Sequence, residues 1–285
     1  MYYLRVYSYL FIIGITFFSC SKENYEAKIP AYISINQIIL STNLVTEGSS
    51  SSNITDAWVY IDNDLVGVFE LPAKFPVLKE GSANLKVFAG IKDNGINNPR
   101  TRYLLYAPYE EQLNLVKGET LEINPAVSYA SGVNFAWLED FENASLSFLY
   151  SSGSDTIINK QSTDIKEGAF SGQVFLDANM DFFEATSSTF TTIPHNASPV
   201  YFELDFKTNE PLVVGIYIDT GQFAWMTLNT TNTWKKIYIN LTDVINTNPP
   251  STELKVFFGI KSTAENPFGV TNPEIFIDNL KLVHL

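Results

Sequence analysis

Two histidines, one cysteine and a scatter of carboxylates are all that this sequence offers to bond-making chemistry. His195 lies in a Pro-rich turn and His284 beside the last residue, and neither stands at a metal-ligand spacing from another ligand. No G-x-S-x-G, H-E-x-x-H or P-loop pattern is present. The single cysteine, Cys20, closes an apolar run. Paired carboxylates can hydrolyse a glycosidic bond, but an acidic chain offers many pairs and nothing singles one out. These residues point away from an enzyme.

Binding chemistry has better candidates. Tyr217 and Asp219 alternate along one expected strand, so they share a face, and Phe223, Trp225 and Thr227 share a face of the next. If the two strands pair, Tyr217, Asp219 and Trp225 make an aromatic platform with a carboxylate beside it. Sugars use such platforms: their C–H faces stack on rings while their hydroxyls meet polar side chains. The competing expectation is that one of these faces is core and takes Trp225 inward. Trp58, Trp137 and Trp234 sit in alternating strands beside apolar residues and are expected in the core. A second group of acids is Glu139, Asp140 and Glu142, with Asp278 far along the chain. Asp140 and Glu142 share one strand face and Glu139 takes the other, so only a subset can converge. Otherwise they are solvated acids at strand ends or partners of a loop.

The elements that must position these residues read as strands. Aromatic content is high, charged content is low, and no long stretch keeps a helical period. The fold class is therefore all-β. A clear hairpin runs from Ala57 to Phe69 around Asp62-Asn63-Asp64, and a further turn stands at Asp93-Asn94-Gly95. Other expected strands include Ala31–Leu40, Ala83–Ile91 and Tyr103–Tyr106, then Val200–Lys207, Leu212–Asp219 and Phe223–Leu228. Asn124-Pro125 and the small polar residues 128–134 interrupt the pattern. Two β-sandwich domains follow, residues 31–127 and residues 128–285. The net charge of −13 argues against nucleic acid, and against a basic patch that would hold the chain to anionic lipid.

Residues 1–19 carry one charge, Arg5, and an apolar run from Val6 to Phe18 that suits a secretory signal peptide and is too short for a membrane span. Phe17-Phe18-Ser19-Cys20 resembles the lipobox of bacterial lipoproteins. That resemblance implies cleavage after Ser19, acyl chains on Cys20 and a lipidated tether over residues 20–30. It also gives an odd cysteine its reason. Two or more acyl chains hold a membrane stably where one does not. Ser21-Lys22-Glu23 resembles the tag that sends some Bacteroidetes-type lipoproteins to the outer face of the outer membrane. Surface exposure is thus favoured over a periplasm-facing orientation.

The run from Val59 to Gly81, with its hairpin and Phe75-Pro76-Val77-Leu78 crossover, resembles small immunoglobulin-like β-sandwich modules. In the second half, "AWLEDFEN", "EGAFSGQVFLD", "VYFELDFKTNEPLVVGIYI", "TNTWKKIYINLT" and "IFIDNLKLV" follow one another in an order similar to jelly-roll, galactose-binding-like modules. That resemblance implies neighbouring first and last strands and a structural calcium ion (Ca2+) there, held by Glu142 and Asp278 with Asp140 or Glu139. It implies a glycan ligand, for a non-catalytic envelope protein that captures glycans or adheres to surfaces. The alternative is an accessory subunit that contacts only an outer-membrane protein partner. Asp155-Thr156-Ile157 resembles the short O-glycosylation sequon of the same bacteria, which would place a sugar on Thr156.

Overall fold

The computed structural model describes residues 28–97, 100–249, 253–261 and 272–285. The lipobox, Cys20 and the tether as far as residue 27 lie outside them. The first half contains β1 (Ala31–Ile35), β2 (Ile39–Leu40), the short helix α1 (Leu44–Glu47), β3 (Asp56–Ile61), β4 (Asp64–Glu70), β5 (Ala73–Val77), β6 (Gly81–Lys92), β7 (Arg100–Arg102), β8 (Tyr109–Leu115), β9 (Thr120–Ile123) and β10 (Ala126–Val127). The second half contains β11 (Asn134–Glu139), β12 (Leu149–Tyr150), β13 (Asn159–Gln161), β14 (Ser171–Phe175), β15 (Phe182–Thr186), β16 (Val200–Thr208), β17 (Leu212–Ile218), β18 (Gly221–Leu228), β19 (Thr231–Asn240), the single-turn helix α2 (Thr242–Asn246), β20 (Leu254–Lys261) and β21 (Glu274–His284). The chain is all-β, as its composition requires.

In the first half, β4-β3-β6-β7 form a sheet with β8 also on β6, facing a smaller sheet β5-β1-β9. The expected hairpin forms between β3 and β4. Asp62 and Asn63 both take positive φ there, 50° and 71°, the two-residue turn that matches strand twist. The expected strand Ala31–Leu40 divides, because β1 pairs with β5 and β9 whereas β2 pairs with β10. The expected strand Tyr103–Tyr106 is instead a turn whose Tyr103, Leu105 and Tyr106 are buried.

In the second half most successive strands cross between two sheets, with β13–β14 and β17–β18 remaining as hairpins within one sheet, the winding of a jelly roll. One sheet runs β13-β14-β21-β16-β19 with β11 also on β21, so the first and last strands are neighbours. The other runs β12-β15-β20-β17-β18. Core-facing residues alternate along each strand: Phe202, Leu204 and Phe206 of β16 meet Val214 and Ile216 of β17 and Val256 and Phe258 of β20 in one apolar cluster.

The other face of β16, β19 and β21 would ordinarily meet water. Here Tyr201, Glu203, Asp205, Lys236, Tyr238, Asp278 and Lys281 on that face are all buried. The first half covers them. Tyr103 packs edge-on against Tyr201 at 4.9 Å and tilted against Tyr238 at 4.9 Å. The segment 48–53 lies over the charged row. Ser51 Oγ donates to Asp205 at 2.9 Å, and Lys281 Nζ donates to the Ser49 carbonyl at 2.6 Å. Glu203 accepts from the hydroxyls of Tyr103 and Tyr129 at 2.6 and 3.0 Å and lies 3.6 Å from Lys236. Lys236 lies 3.8 Å from Asp205, which also accepts from Asn279 Nδ2 at 3.1 Å. Buried charges persist only when paired or hydrogen-bonded: Glu203, Asp205 and Lys236 are paired, and Lys281 and Asp278 are held by hydrogen bonds. Tyr201, Tyr238 and Val283 accordingly belong to the apolar cluster of the first half.

Burial lowers the Lys281 ammonium to about 8, although Glu203 beside it favours the charge. Between about 8 and the ordinary lysine value, the unfolded chain therefore binds a proton that the folded chain does not. This group then adds stability as pH rises through that window. Thermal unfolding of the native chain and of Lys281→Met should show it: the native chain gains on the variant between pH 8 and 10.5, and parallel curves would contradict the assignment.

Candidate functional site

Strand β18 differs from its neighbours. It is an edge strand, and Gln222, Phe223, Ala224 and Trp225 are all exposed. A bulge opposite Val214 and Gly215 places Trp225 between paired residues. Phe223 therefore stands opposite the core-facing Ile216, while Thr227 stands opposite Val213 on the outer face. This corrects the expectation that Phe223, Trp225 and Thr227 share a face: an extra residue in a strand shifts every side chain beyond it. Tyr217 and Trp225 do not form one platform. Trp225 is 38 % exposed and lies across the open edge of the sandwich, where its Nε1 donates to the Asn240 carbonyl of β19 at 3.0 Å.

Tyr217 lies on the outer face of β17. Its hydroxyl donates to Glu184 Oε1 at 2.8 Å, and its ring stands 5.2 Å from that of Phe257. Burial, then the bond to Glu184, pushes the phenol up to about 12. Asp219 is not in the strand. It takes φ 51° in the β17–β18 turn, and its carboxylate accepts from the Glu253 N–H at 3.0 Å, which tethers the start of β20.

The expected calcium ligands are also dispersed. Glu139 accepts from Phe141 N at 3.0 Å and from both Ser147 N and Oγ at 2.7 Å. Asp140 accepts from Glu142 N, and Glu142 accepts from Ala169 N and Phe170 N. Asp278 accepts from the backbone of Lys166, Glu167 and Asn279, and burial pushes it up to about 7. Each carboxylate is engaged by backbone N–H groups of a turn. Among the described residues no three His, Cys, Asp or Glu side chains are arranged to hold a metal. The residues do not fit the calcium site that the resemblance implied. The acids that do gather, Glu203, Asp205 and Asp278, are sealed beneath segment 48–53.

The remaining expected positions divide between core and surface. Trp137 is in the core, with Nε1 donating to Ser147 Oγ. Trp234 is half-buried on the outer side of β19 and donates to Asp164 at 2.8 Å. Trp58 is not core either. It stands opposite Val68 and Phe88 on the outer face of the first half's larger sheet, with Tyr60 5.6 Å from Phe88 and the Arg102 guanidinium 4.4 Å from the Phe88 ring. The strand alternates as expected, but the face that carries Trp58 turns outward. Thr156 is half-buried in a turn where Asp155 accepts from Asp181 N and Phe182 N.

The open sandwich edge beside Trp225 continues into a cleft of about 380 Å³ between the two halves. Its floor is apolar, formed by Phe206, Met226, Leu228 and Ile237. One wall is the first half's turn after β6. There Asn94 and Gly95 take φ 54° and 72°, and a Cβ on Gly95 would stand 3.3 Å from Ile237 Cδ1. The Asn94 N–H donates to the Tyr238 carbonyl at 2.9 Å, and its Oδ1 accepts from the Asn240 N–H at 2.8 Å. On the other side Asn53 N donates to the Tyr238 hydroxyl, and Asn53 Nδ2 to the Lys236 carbonyl. Asn240 thus bonds to both Trp225 and Asn94, and Asn94 itself lines the cleft. The rim carries Lys92, Asn97, Asn229 and Lys235. Their side chains make no hydrogen bond or ion pair with the described residues. Of the cleft residues, the Asp-Asn-Gly turn and the aromatic β18 were visible in the sequence. The amides of Asn97 and Asn229 carried no signal of their own.

No family model matches the sequence, and no curated protein matches it. Solved structures similar to it include a β-sandwich carbohydrate-binding module described for promiscuous specificity, at 12 % identity over 80 % of this chain and 84 % of that one, TM-score 0.37. A family 11 carbohydrate-binding module of a cellulosomal cellulase of Clostridium thermocellum is 13 % identical over 55 % and 96 %, TM-score 0.37. A xylan-binding domain of family 22 is 13 % identical over 53 % and 94 %, TM-score 0.34. At these scores the likeness assigns no ligand or activity to this chain.

Trp225→Phe removes one hydrogen bond at the sandwich edge and keeps the ring. The expected loss is roughly 0.5–1.5 kcal/mol in urea unfolding. An unchanged stability would show that Trp225 does not tie β18 to β19.

Proposed function

We propose that this chain is a non-catalytic envelope protein that captures a glycan in the cleft between its two halves. The observation that carries this reading is the cleft's construction: an apolar floor beneath a rim of amides and ammonium groups that no described residue engages. A side-chain amide donates and accepts at once, as vicinal hydroxyls require, and an apolar floor suits the C–H face of a sugar ring. The cleft's volume lies within the range of small-molecule sites. Its walls belong to two units joined by a buried polar contact, so little ordering is needed on binding, which favours affinity. On this reading the acyl chains at Cys20 hold the protein to the outer membrane, and the two β-sandwiches display the cleft beyond it.

A protein-contact role has one observation in its favour. On the outer face of β3 and β4, Leu65 and Val68 are 54 % and 38 % exposed beside Trp58, Tyr60 and Phe88. Large exposed apolar groups on one sheet face suit a protein partner.

Glycan-array screening of the detergent-solubilised full chain, followed by calorimetry on its best ligand, separates the two readings. The expected result is binding that Asn97→Ala with Asn229→Ala weakens about tenfold, roughly the contribution of one or two hydrogen bonds. Retained affinity in that variant, with loss on Trp58→Ala, would move the site to the first half's outer face.

A further inference from the structure

We infer that the ligand of this cleft is an acidic glycan, a chain bearing carboxylate or sulfate groups, held by Lys92 and Lys235. The inference rests on the proposed glycan-binding role and names its substrate class. The whole chain carries 31 acids against 18 bases. The cleft reverses that balance: Lys92, Lys235 and Lys236 line it, and among the described residues no Asp or Glu does.

The three lysines are not equivalent. Lys236 is buried and is neutralised from within by Glu203 and Asp205. Lys92 and Lys235 have no carboxylate within ion-pair distance among the described residues. The acid next to Lys92 in the chain, Asp93, turns away from it. Its Oδ2 accepts from Asn240 Nδ2 at 3.1 Å, on the Tyr201 side. Lys92 ends β6 of the first half, and Lys235 stands on β19 of the second. The two ammonium groups therefore come from opposite sides of the cleft. Both line the one cleft with no carboxylate partner among the described residues, so an anion seated there would meet a cation from each half. The apolar floor and the amides of Asn97 and Asn229 accept the rest of a sugar ring but have no charge to offer.

The test uses oligogalacturonate, its carboxyl-reduced neutral counterpart and a heparin-derived oligosaccharide of similar length, titrated into the full chain and into Lys92→Gln/Lys235→Gln. Both lysines reach no described partner, so the variant should melt with the native chain, and a melting scan checks this. The inference expects oligogalacturonate to bind at least tenfold more tightly than its reduced form, and the variant to bind both alike. Equal or tighter binding of the sulfated chain, with the same dependence on the two lysines, supports a site that reads charge; its failure to bind restricts the class to carboxylates. If the neutral chain binds as well as the acidic one and the variant changes nothing, the acidic class is overturned while glycan capture stands. If none of the three binds and the array is also blank, the glycan reading falls, and this inference with it.

Discussion

The structure depends on the burial of a charged sheet face. Glu203, Asp205, Lys236, Asp278 and Lys281 occupy the side of β16, β19 and β21 that a free-standing sandwich would give to water. Removing such charges from solvent costs several kcal/mol each unless partners replace the lost hydration. The partners come from the other half of the chain: tyrosine hydroxyls of Tyr103 and Tyr129, the Ser51 hydroxyl and the Ser49 carbonyl. This exchange fixes how the two halves sit. The tyrosine rings around it supply the apolar area, and the hydroxyls supply the polarity, so one residue type meets both requirements.

The cleft is a consequence of that seat. With the first half docked on the polar face, its Asp93-Asn94-Gly95 turn reaches the edge of the second sandwich and bonds to Tyr238 and Asn240. Neither half alone holds the site. The floor comes from the sandwich edge, and part of the rim comes from the turn. Trp225 closes the same edge from the opposite side through its bond to Asn240.

Local pattern was legible in the sequence, and the contact between the halves was not. The all-β class, the Asp62-Asn63 hairpin turn, the pairing of the first and last strands of the second half and the core position of Trp137 follow from alternation, turn chemistry and the jelly-roll likeness. The failures have separate physical causes. A strand with both faces apolar or paired looks the same whichever face meets the core, so Trp58 was assigned inward although it lies outward. Likewise Tyr103 and Tyr106 read as a strand although they form a buried contact turn. The bulge at Trp225 has no sequence signature and shifted the expected platform apart. The expected calcium acids are each taken by backbone N–H groups, within a turn for Glu139 and Asp140 and from a distant loop for Glu142 and Asp278, a competition that acidic composition does not reveal. Glu203 and Lys236 carried no signal either, since their role exists only when the two halves meet.

The central claim is that the ligand sits between the halves, on the Asn94–Gly95 turn and the β18–β19 edge. Hydrogen exchange read by mass spectrometry, with and without a saturating glycan, locates it directly. The account predicts slowed exchange in segments 92–97 and 226–237, both of which line the cleft. Protection confined to the outer face of β3, β4 and β6, with those two segments unchanged, would contradict it.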